Sequence, residues 1–134
     1  MKTHKFQCRI YYEDTDMAGI VYYANYLRYI ERARSEQIRE LGVDQKVLKD
    51  ENGIVLVVRR IEADYLASAR LDDVLTVETT LTQVSGVRIK YQQDVFCGDK
   101  KLFAAKLEVV SMTVGGRPTR LPADIRRKYA EINT

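Results

Sequence analysis

The segment YANYLRYIERARSEQIREL, residues 23–41, decides the fold because it reads as one long amphipathic helix. Tyr26 and Tyr29 widen its apolar stripe, and Gly42 is a natural C-terminal stop. A long helix with so wide an apolar face predicts a sheet wrapped around it. The stripe residues at helical spacing are Leu27, Ile30, Ala33 or Arg34, Ile38 and Leu41.

Alternation with a period of two predicts strands on both sides of this helix. A short helix is expected after Asp44, and a C-terminal helix begins at Pro122. The order gives an α+β fold, an antiparallel sheet of about five strands wrapped around one long central helix, in one domain over residues 1–134. Open sheet edges favour a homodimer or a dimer of dimers. The predicted strands cover residues 6–12, 54–65, 75–81, 87–97 and 103–109.

Composition narrows the classes of function. The net charge of +3, from 22 basic and 19 acidic residues, disfavours nucleic acid as a partner but leaves room for a small phosphate-bearing ligand. Cys8 and Cys97 fit free thiols in a reducing compartment. With no apolar run long enough to span a bilayer and no signal core, we expect a cytoplasmic protein without a transmembrane segment.

The single histidine limits the possible chemistry. His4 lies in an N-terminus that we expect to fray. Triads with a serine or cysteine nucleophile need a histidine held beside it, and zinc sites usually need histidines or clustered cysteines. The sequence therefore disfavours these sites and predicts neither a metal nor a cofactor.

Residues 11–26, YYEDTDMAGIVYYANY, form the most informative motif. An EF-hand calcium loop is excluded because Ala18 occupies its third ligand position and Asn25 its twelfth, where glutamate is needed. Two interpretations stay open for Asp16. It can close an Asx turn or cap a helix, or it can be a catalytic carboxylate beside the electropositive start of the helix. The second arrangement places a base next to a potential oxyanion hole.

Thioester hydrolysis needs little more than those two parts. The leaving thiol has a pKa of about 8.5, so its departure requires little help from a general acid. The carbonyl oxygen does need stabilisation, and either water or a carboxylate must attack the carbonyl carbon. The absence of an active-site histidine is then no obstacle.

Two stretches carry a family resemblance: DTDMAGIVYYANYLRYIERAR, residues 14–34, and VVRRIEADYLASARLDD, residues 57–73. They resemble the 4-hydroxybenzoyl-CoA thioesterase superfamily, and within it the YbgC-type branch of acyl-CoA thioesterases associated with the Tol–Pal system. The resemblance covers nearly the whole chain. It implies a hot-dog fold and hydrolysis of acyl-coenzyme A, with acyl carrier protein as another possible acyl donor.

The same resemblance assigns candidate residues around the helix start. Asp16 matches the catalytic carboxylate, acting as general base or nucleophile, and the backbone N–H of Tyr23 matches the oxyanion hole. Gly19 lies where the turn must be tight, and Tyr22 lines the substrate wall. Asn25 either caps the helix or touches the acyl group. The YbgC-type branch often has histidine at the position of Tyr23, so the resemblance leaves open the substrate preference and any proton-relay role at this position.

Basic residues are candidates for binding the coenzyme A phosphates. Arg88 is favoured because the turn from Ser85 to Arg88 is similar in position to the region where relatives meet the nucleotide. Arg59 is a second candidate, and Arg60 and Lys90 are others. A rival function is a non-catalytic acyl-CoA or acyl-carrier binding protein, or an interaction protein, of an envelope or lipid-synthesis complex. The sequence does not specify the length of the acyl chain or whether it is aliphatic or aromatic.

Overall fold

The computed structural model describes residues 2–133 and gives an α+β fold with one five-stranded antiparallel sheet and three α-helices in that range. Met1 and Thr134, the ends of the predicted domain, lie outside the described residues. In chain order the elements are β1 (Thr3–Arg9), α1 (Asn25–Glu40), α2 (Gln45–Asn52), β2 (Ile54–Tyr65), β3 (Val74–Val84), β4 (Arg88–Cys97), β5 (Lys100–Thr113) and α3 (Ala123–Asn133).

The strands lie in the order β1-β3-β4-β5-β2, and every neighbouring pair is antiparallel. The prediction of about five antiparallel strands is therefore confirmed, and β2 has the predicted bounds. The edges of the sheet are β1 and β2. Along β3 and β4, every second side chain is buried and the residues between them face outward. This alternation defines an inner face, which packs against the core, and an outer face.

Helix α1 packs its buried side chains against the inner face and contacts β1 and β3. Full burial of a large apolar side chain contributes roughly 1.5–3 kcal/mol relative to leaving it exposed. Leu27, expected in the apolar stripe, instead remains 41% exposed. The helix is therefore rotated so that tyrosines occupy much of the contact. The buried residues of α1 are Tyr26, Tyr29, Ile30, Ala33, Gln37 and Ile38.

A buried glutamine joins α1 to the middle of the sheet. Gln93 is 0% exposed, and its Nε2 donates to the carbonyl oxygen of Ile30 at 2.9 Å and to the Thr79 hydroxyl at 2.9 Å. Its Oε1 accepts from the Arg34 guanidinium at 2.9 Å. Thr79 and Gln93 are directly paired between β3 and β4. Buried polar groups are costly without partners, so this network fixes one position of α1 on the sheet.

A β-bulge in β2 changes which side chains face the core. Val58 pairs with Val109 and Arg60 pairs with Glu108, which leaves Arg59 as the extra residue. The inner face therefore carries even-numbered residues before the bulge, such as Val58, and odd-numbered residues after it, ending at Tyr65. The additional residue places both arginines on the outer face.

The expectation that His4 lies in a frayed terminus is wrong. His4 belongs to β1, where it pairs with Thr79 of β3. Its Nε2 lies 3.0 Å from Oε2 of Glu40, the last residue of α1. Pairing of β1 with β3 extends to Thr3, so the sheet orders the histidine.

Replacing Gln93 with leucine should reduce stability by about 2–4 kcal/mol, because the Arg34 guanidinium and the Thr79 hydroxyl lose a buried partner. The measurement is the free energy of unfolding in urea. Gln92→Leu is the matched control, since Gln92 faces the other side of the strand and its side chain donates to Asp94. That control should change stability by about 0.5 kcal/mol. Equal effects of the two substitutions would contradict the bridging role.

Candidate active site

The loop between β1 and α1 folds back on itself and presents Asp16 near its tip. Thr15 and Val21 form an antiparallel bridge. The Asp16 N–H donates to the carbonyl oxygen of Ile20 at 2.9 Å, and the Gly19 N–H donates to the carbonyl oxygen of Asp16 at 3.0 Å. Gly19 has a φ of 80°, a left-handed conformation that glycine adopts without strain. The glycine therefore allows the turn that directs the chain towards α1.

The two aspartates of this loop have different surroundings. The Asp14 Oδ2 accepts from the Tyr11 N–H at 2.8 Å, and the carboxylate lies beside the buried Tyr29. Burial, with Asp14 as the next cause, raises the pKa of Tyr29. Asp16 is exposed, and its Oδ1 accepts from the Ala18 N–H at 2.9 Å in an Asx turn. That bond leaves Oδ2 available, so of the two carboxylates Asp16 is the one accessible to a ligand.

The start of α1 leaves backbone N–H groups available beside this loop. The Tyr22 N–H donates to the carbonyl oxygen of Asp14 at 3.0 Å, and the Asn25 N–H donates to that of Tyr22 at 2.9 Å. Tyr23 and Ala24 lie between them and precede the first turn of the helix, so their N–H groups have no intrahelical acceptor. Ala24 is the N-cap residue, so its N–H lies at the electropositive start of α1, directly after the N–H of Tyr23.

Asn25 has a structural contact in this arrangement. Its Nδ2 donates to the carbonyl oxygen of Asp14 at 2.9 Å, the same oxygen that accepts from the Tyr22 N–H. The residue at the N-cap position is Ala24, which makes no side-chain cap. Asn25 therefore ties the first residue of α1 to the loop that carries Asp16.

Aromatic rings surround the helix start. The Tyr65 hydroxyl donates to the carbonyl oxygen of Tyr23 at 3.1 Å, and the two ring centroids lie 6.0 Å apart. The Tyr26 ring stacks on Phe103 with centroids 5.2 Å apart. The rings of Tyr22 and Tyr23 remain substantially exposed. The rings of Tyr22 and Tyr23 thus give the helix start an apolar wall that is open to solvent, whereas Tyr26 is 2% exposed and lies in the core behind it.

Arg59 and Arg88 come together on the outer face of the sheet, at a distance from the loop. Both approach Glu108, at 3.4 Å for Arg59 and 3.8 Å for Arg88. They line a groove of about 510 Å³ together with Val57 and Met112. Both arginine side chains are more than half exposed, and each guanidinium has five N–H donors, so one carboxylate leaves most donors free for an anionic ligand.

Strand β2 connects the two regions. Tyr65, at its end, contacts Tyr23, whereas Arg59 lies six residues earlier in the strand. At about 3.3 Å per residue, that separation corresponds to ~20 Å. A ligand that reached both regions would need to be long, with a reactive group at one end and negative charge at the other.

Comparison with known proteins identifies the family. The family model described as Thioesterase superfamily matches residues 18–104. The chain belongs to the thioesterase superfamily. It is 37% identical over 128 residues to the acyl-CoA thioesterase YbgC of Haemophilus influenzae, covering 95% of this chain and 94% of that protein. It is 43% identical over 91 residues to YbgC of Helicobacter pylori, covering 68% and 65% of the two chains.

Solved structures agree with this assignment to the thioesterase superfamily. The crystal structure of a probable thioesterase from Bartonella henselae superimposes with a TM-score of 0.87 at 36% identity, covering 90% of this chain and all of that chain. The predicted family is confirmed, including the similarity to YbgC-type proteins. The prediction of a thioester hydrolase is confirmed at the level of the family.

The structure favours neither the Cys8 thiol as a nucleophile nor a metal site among the described residues. Burial raises the pKa of the Cys8 thiol to about 11, so little reactive thiolate forms at neutral pH. Across residues 2–133, no group of three or more His, Cys, Asp or Glu side chains could hold a metal ion. No helix in that range is long and apolar enough to cross a membrane.

Sequence reasoning missed three residues of these regions. Asp14 supports the loop although it belongs to the same acidic motif as Asp16. Glu108 holds the two arginines together, and Tyr65 contacts the helix start. The alternation in β5 marked Glu108 as an outward residue, and Tyr65 lies inside the second family-like stretch. Neither signal specified a partner, because each contact joins residues far apart in the chain.

Proposed function

We propose that this protein hydrolyses acyl-coenzyme A thioesters to the free acid and coenzyme A, with Asp16 as the catalytic carboxylate. The observation that carries the proposal is the set of functional groups in the loop between β1 and α1 and at the start of α1. An accessible carboxylate oxygen and two available N–H groups, those of Tyr23 and Ala24, belong to the same short segment. Membership of the thioesterase superfamily supports this interpretation.

In the proposed reaction, the thioester carbonyl lies at the start of α1. The N–H groups of Tyr23 and Ala24 donate to the carbonyl oxygen and stabilise the negative charge that develops on it. Asp16 removes a proton from a water molecule that attacks the carbonyl carbon, or it attacks directly and forms an anhydride that water then hydrolyses. The carbon–sulfur bond breaks, and the thiolate leaves and takes up a proton. Both routes stay open.

Two further candidates shape the same site. Gly19 allows the turn that presents Asp16, and Tyr22 supplies part of the exposed aromatic wall. Asn25 positions the first turn of α1 through its contact with Asp14. The proposed substrate-binding contribution of these residues is mainly to shape the cleft rather than to take part in proton transfer.

We assign the coenzyme A phosphates to the arginine pair. Arginine forms paired hydrogen bonds with phosphate oxygens, and Arg59 and Arg88 already converge on one carboxylate. Glu108 limits the local excess of positive charge and holds both side chains at the groove. Because Arg59 and Tyr65 lie ~20 Å apart along β2 and on opposite faces of the sheet, the assignment requires a ligand whose phosphates and thioester are joined by an extended arm.

We further propose that the chain forms a single hot-dog domain in which the sheet wraps around α1 as its central helix. Two copies of this domain would pair along β2 to form a dimer. The outer edge of β2 has no strand partner within the described chain, and an unpaired strand of this length favours pairing with another chain. Val57, Val58 and Ile61 are each about 40% exposed, which gives this edge apolar surface for a second copy to cover. A dimer of dimers is compatible with the same contact.

The rival function is that of a non-catalytic acyl-CoA or acyl-carrier binding protein, or an interaction protein, of an envelope or lipid-synthesis complex. An accessible carboxylate beside free N–H groups favours the enzyme. Acyl carrier protein is a second proposed acyl donor, since its thioester presents the same reacting atoms. The proposed setting is the cytoplasm, where Cys8 and Cys97 would stay reduced.

Thiol release from a panel of acyl-CoAs tests the enzyme against the binding protein. The wild type should turn over at least one member, whereas Asp16→Asn should lower kcat by about 100-fold or more because the attacking or proton-accepting carboxylate is lost. Glu13→Gln is the control, since it removes a charge from an exposed residue of the same loop. Retained kcat in Asp16→Asn would remove Asp16 from the mechanism, and tight binding without thiol release would support the rival.

Truncating the arginine pair tests the phosphate assignment. Arg88→Ala and Arg59→Ala should each raise the KM for acyl-CoA by about tenfold, the effect of one lost charge-assisted hydrogen bond. The KM for the same acyl group on N-acetylcysteamine, which has no phosphates, should stay unchanged. Arg127→Ala, an exposed arginine of α3, is the matched control. An unchanged KM for acyl-CoA in both variants would refute the assignment.

Sedimentation velocity tests the paired edge. The wild type should sediment as a dimer or larger, and Ile61→Lys should shift the population to monomer because it places a charge in the proposed contact. Val74→Lys is the control, since Val74 is 40% exposed on β3, which β4 and β5 separate from β2. Circular dichroism establishes that both variants are folded. A stable wild-type monomer at micromolar concentration would contradict the dimer.

A further inference from the structure

One peptide group at the start of α1 is held from outside the helix. The carbonyl oxygen of Tyr23 accepts the Tyr65 hydroxyl at 3.1 Å. The N–H of that same planar peptide group belongs to Ala24. A hydrogen bond to the carbonyl therefore fixes the orientation of the Ala24 N–H, and it also polarises the peptide group so that the N–H becomes a better donor.

The neighbouring N–H groups have acceptors inside the protein. That of Tyr22 donates to Asp14 and that of Asn25 donates to Tyr22, both through backbone carbonyl oxygens. The remaining N–H groups at the proposed oxyanion hole are those of Tyr23 and Ala24. The Tyr65 bond thus acts on a peptide group that contributes one of these two donors.

Tyr65 is itself held by three rings. Its ring makes edge contacts with Tyr23, Tyr26 and Phe103 at centroid distances of 6.0, 5.7 and 5.0 Å. Partial burial raises the pKa of Tyr65, and Tyr23 adds to the rise, so the hydroxyl stays protonated and able to donate at neutral pH. The packed rings restrict the rotamers of Tyr65, which keeps its hydroxyl aimed at the Tyr23 carbonyl oxygen.

We propose that Tyr65 is the positioning residue of the oxyanion hole: its hydroxyl bond to the Tyr23 carbonyl oxygen aims and polarises the Ala24 N–H at the thioester. This inference rests on the proposed hydrolase function. Tyr65 acts on the transition state through the peptide group and takes no part in proton transfer. The site therefore has an N–H donor whose strength depends on a side chain of β2.

Kinetics of Tyr65→Phe test the proposal. The variant keeps the ring contacts and loses only the hydroxyl, so kcat should fall about five- to tenfold while KM stays within about twofold. Tyr26→Phe is the matched control. It removes a hydroxyl from the same ring cluster, where Tyr26 accepts from the Ala69 N–H at 3.0 Å, but it leaves the Tyr23 carbonyl bond intact. That control should lower the melting temperature and leave kcat within about twofold.

The amide resonance of Ala24 provides a measurement that does not depend on catalysis. In wild-type protein selectively labelled with ¹⁵N-alanine, the Ala24 nitrogen should resonate downfield of its position in Tyr65→Phe, because the hydroxyl polarises its peptide group. The Tyr26→Phe spectrum should match the wild type at Ala24.

The outcomes separate this proposal from the proposed function. If wild-type protein releases no thiol from any acyl-CoA, the hydrolase function fails, while the Ala24 resonance still reports whether the bond exists. If the wild type is active and Tyr65→Phe retains full kcat, the positioning role is refuted. A raised KM with unchanged kcat would instead make Tyr65 a contact of the bound substrate, which also overturns the proposal.

Discussion

The position of α1 depends on the carboxamide of Gln93. All three of its hydrogen-bonding groups are used, on Ile30 of the helix, on Thr79 of the neighbouring strand and on the Arg34 guanidinium. Apolar packing alone tolerates small rotations and shifts of a helix, whereas these bonds accept only one register. Because the register of α1 sets where its first turn lies, a glutamine in the sheet helps to place the N–H groups at the start of the helix.

Much of the fold follows from hydrophobic periodicity. The alternation gave five strands, with β2 at its observed bounds, and the short helix after Asp44 begins at Gln45. The rotation of α1 was harder to predict because tyrosines served as core residues while Leu27 stayed exposed. Gln93 occupies a position in the apolar phase of β4, but only the structure identifies its partners. Periodicity locates faces, and it does not say which polar residue is satisfied there.

Only the local part of the candidate site could be predicted from the sequence. The motif around Asp16 is local, so its loop, turn and helix start could be predicted from adjacent residues. Separating Asp16 from Asp14 required knowing that Asp14 contacts Tyr11 and lies beside Tyr29. The grouping of arginines at Glu108 depends on the alignment of three strands, which no local pattern specifies. The contact of Tyr65 was equally unpredictable from local sequence, since its partner Tyr23 lies 42 residues earlier.

The extra residue in β2 explains why Val58 and Tyr65 share a face although they are an odd number of residues apart. Deletion of Arg59 would restore regular pairing, with Val58 still opposite Val109 and Arg60 still opposite Glu108, so every later side chain would keep its face. A deletion between Arg60 and Tyr65 would instead move Tyr65 to the opposite face and take its phenol away from the helix. A one-residue gap would therefore mean a lost guanidinium at the first place and a differently built cleft at the second.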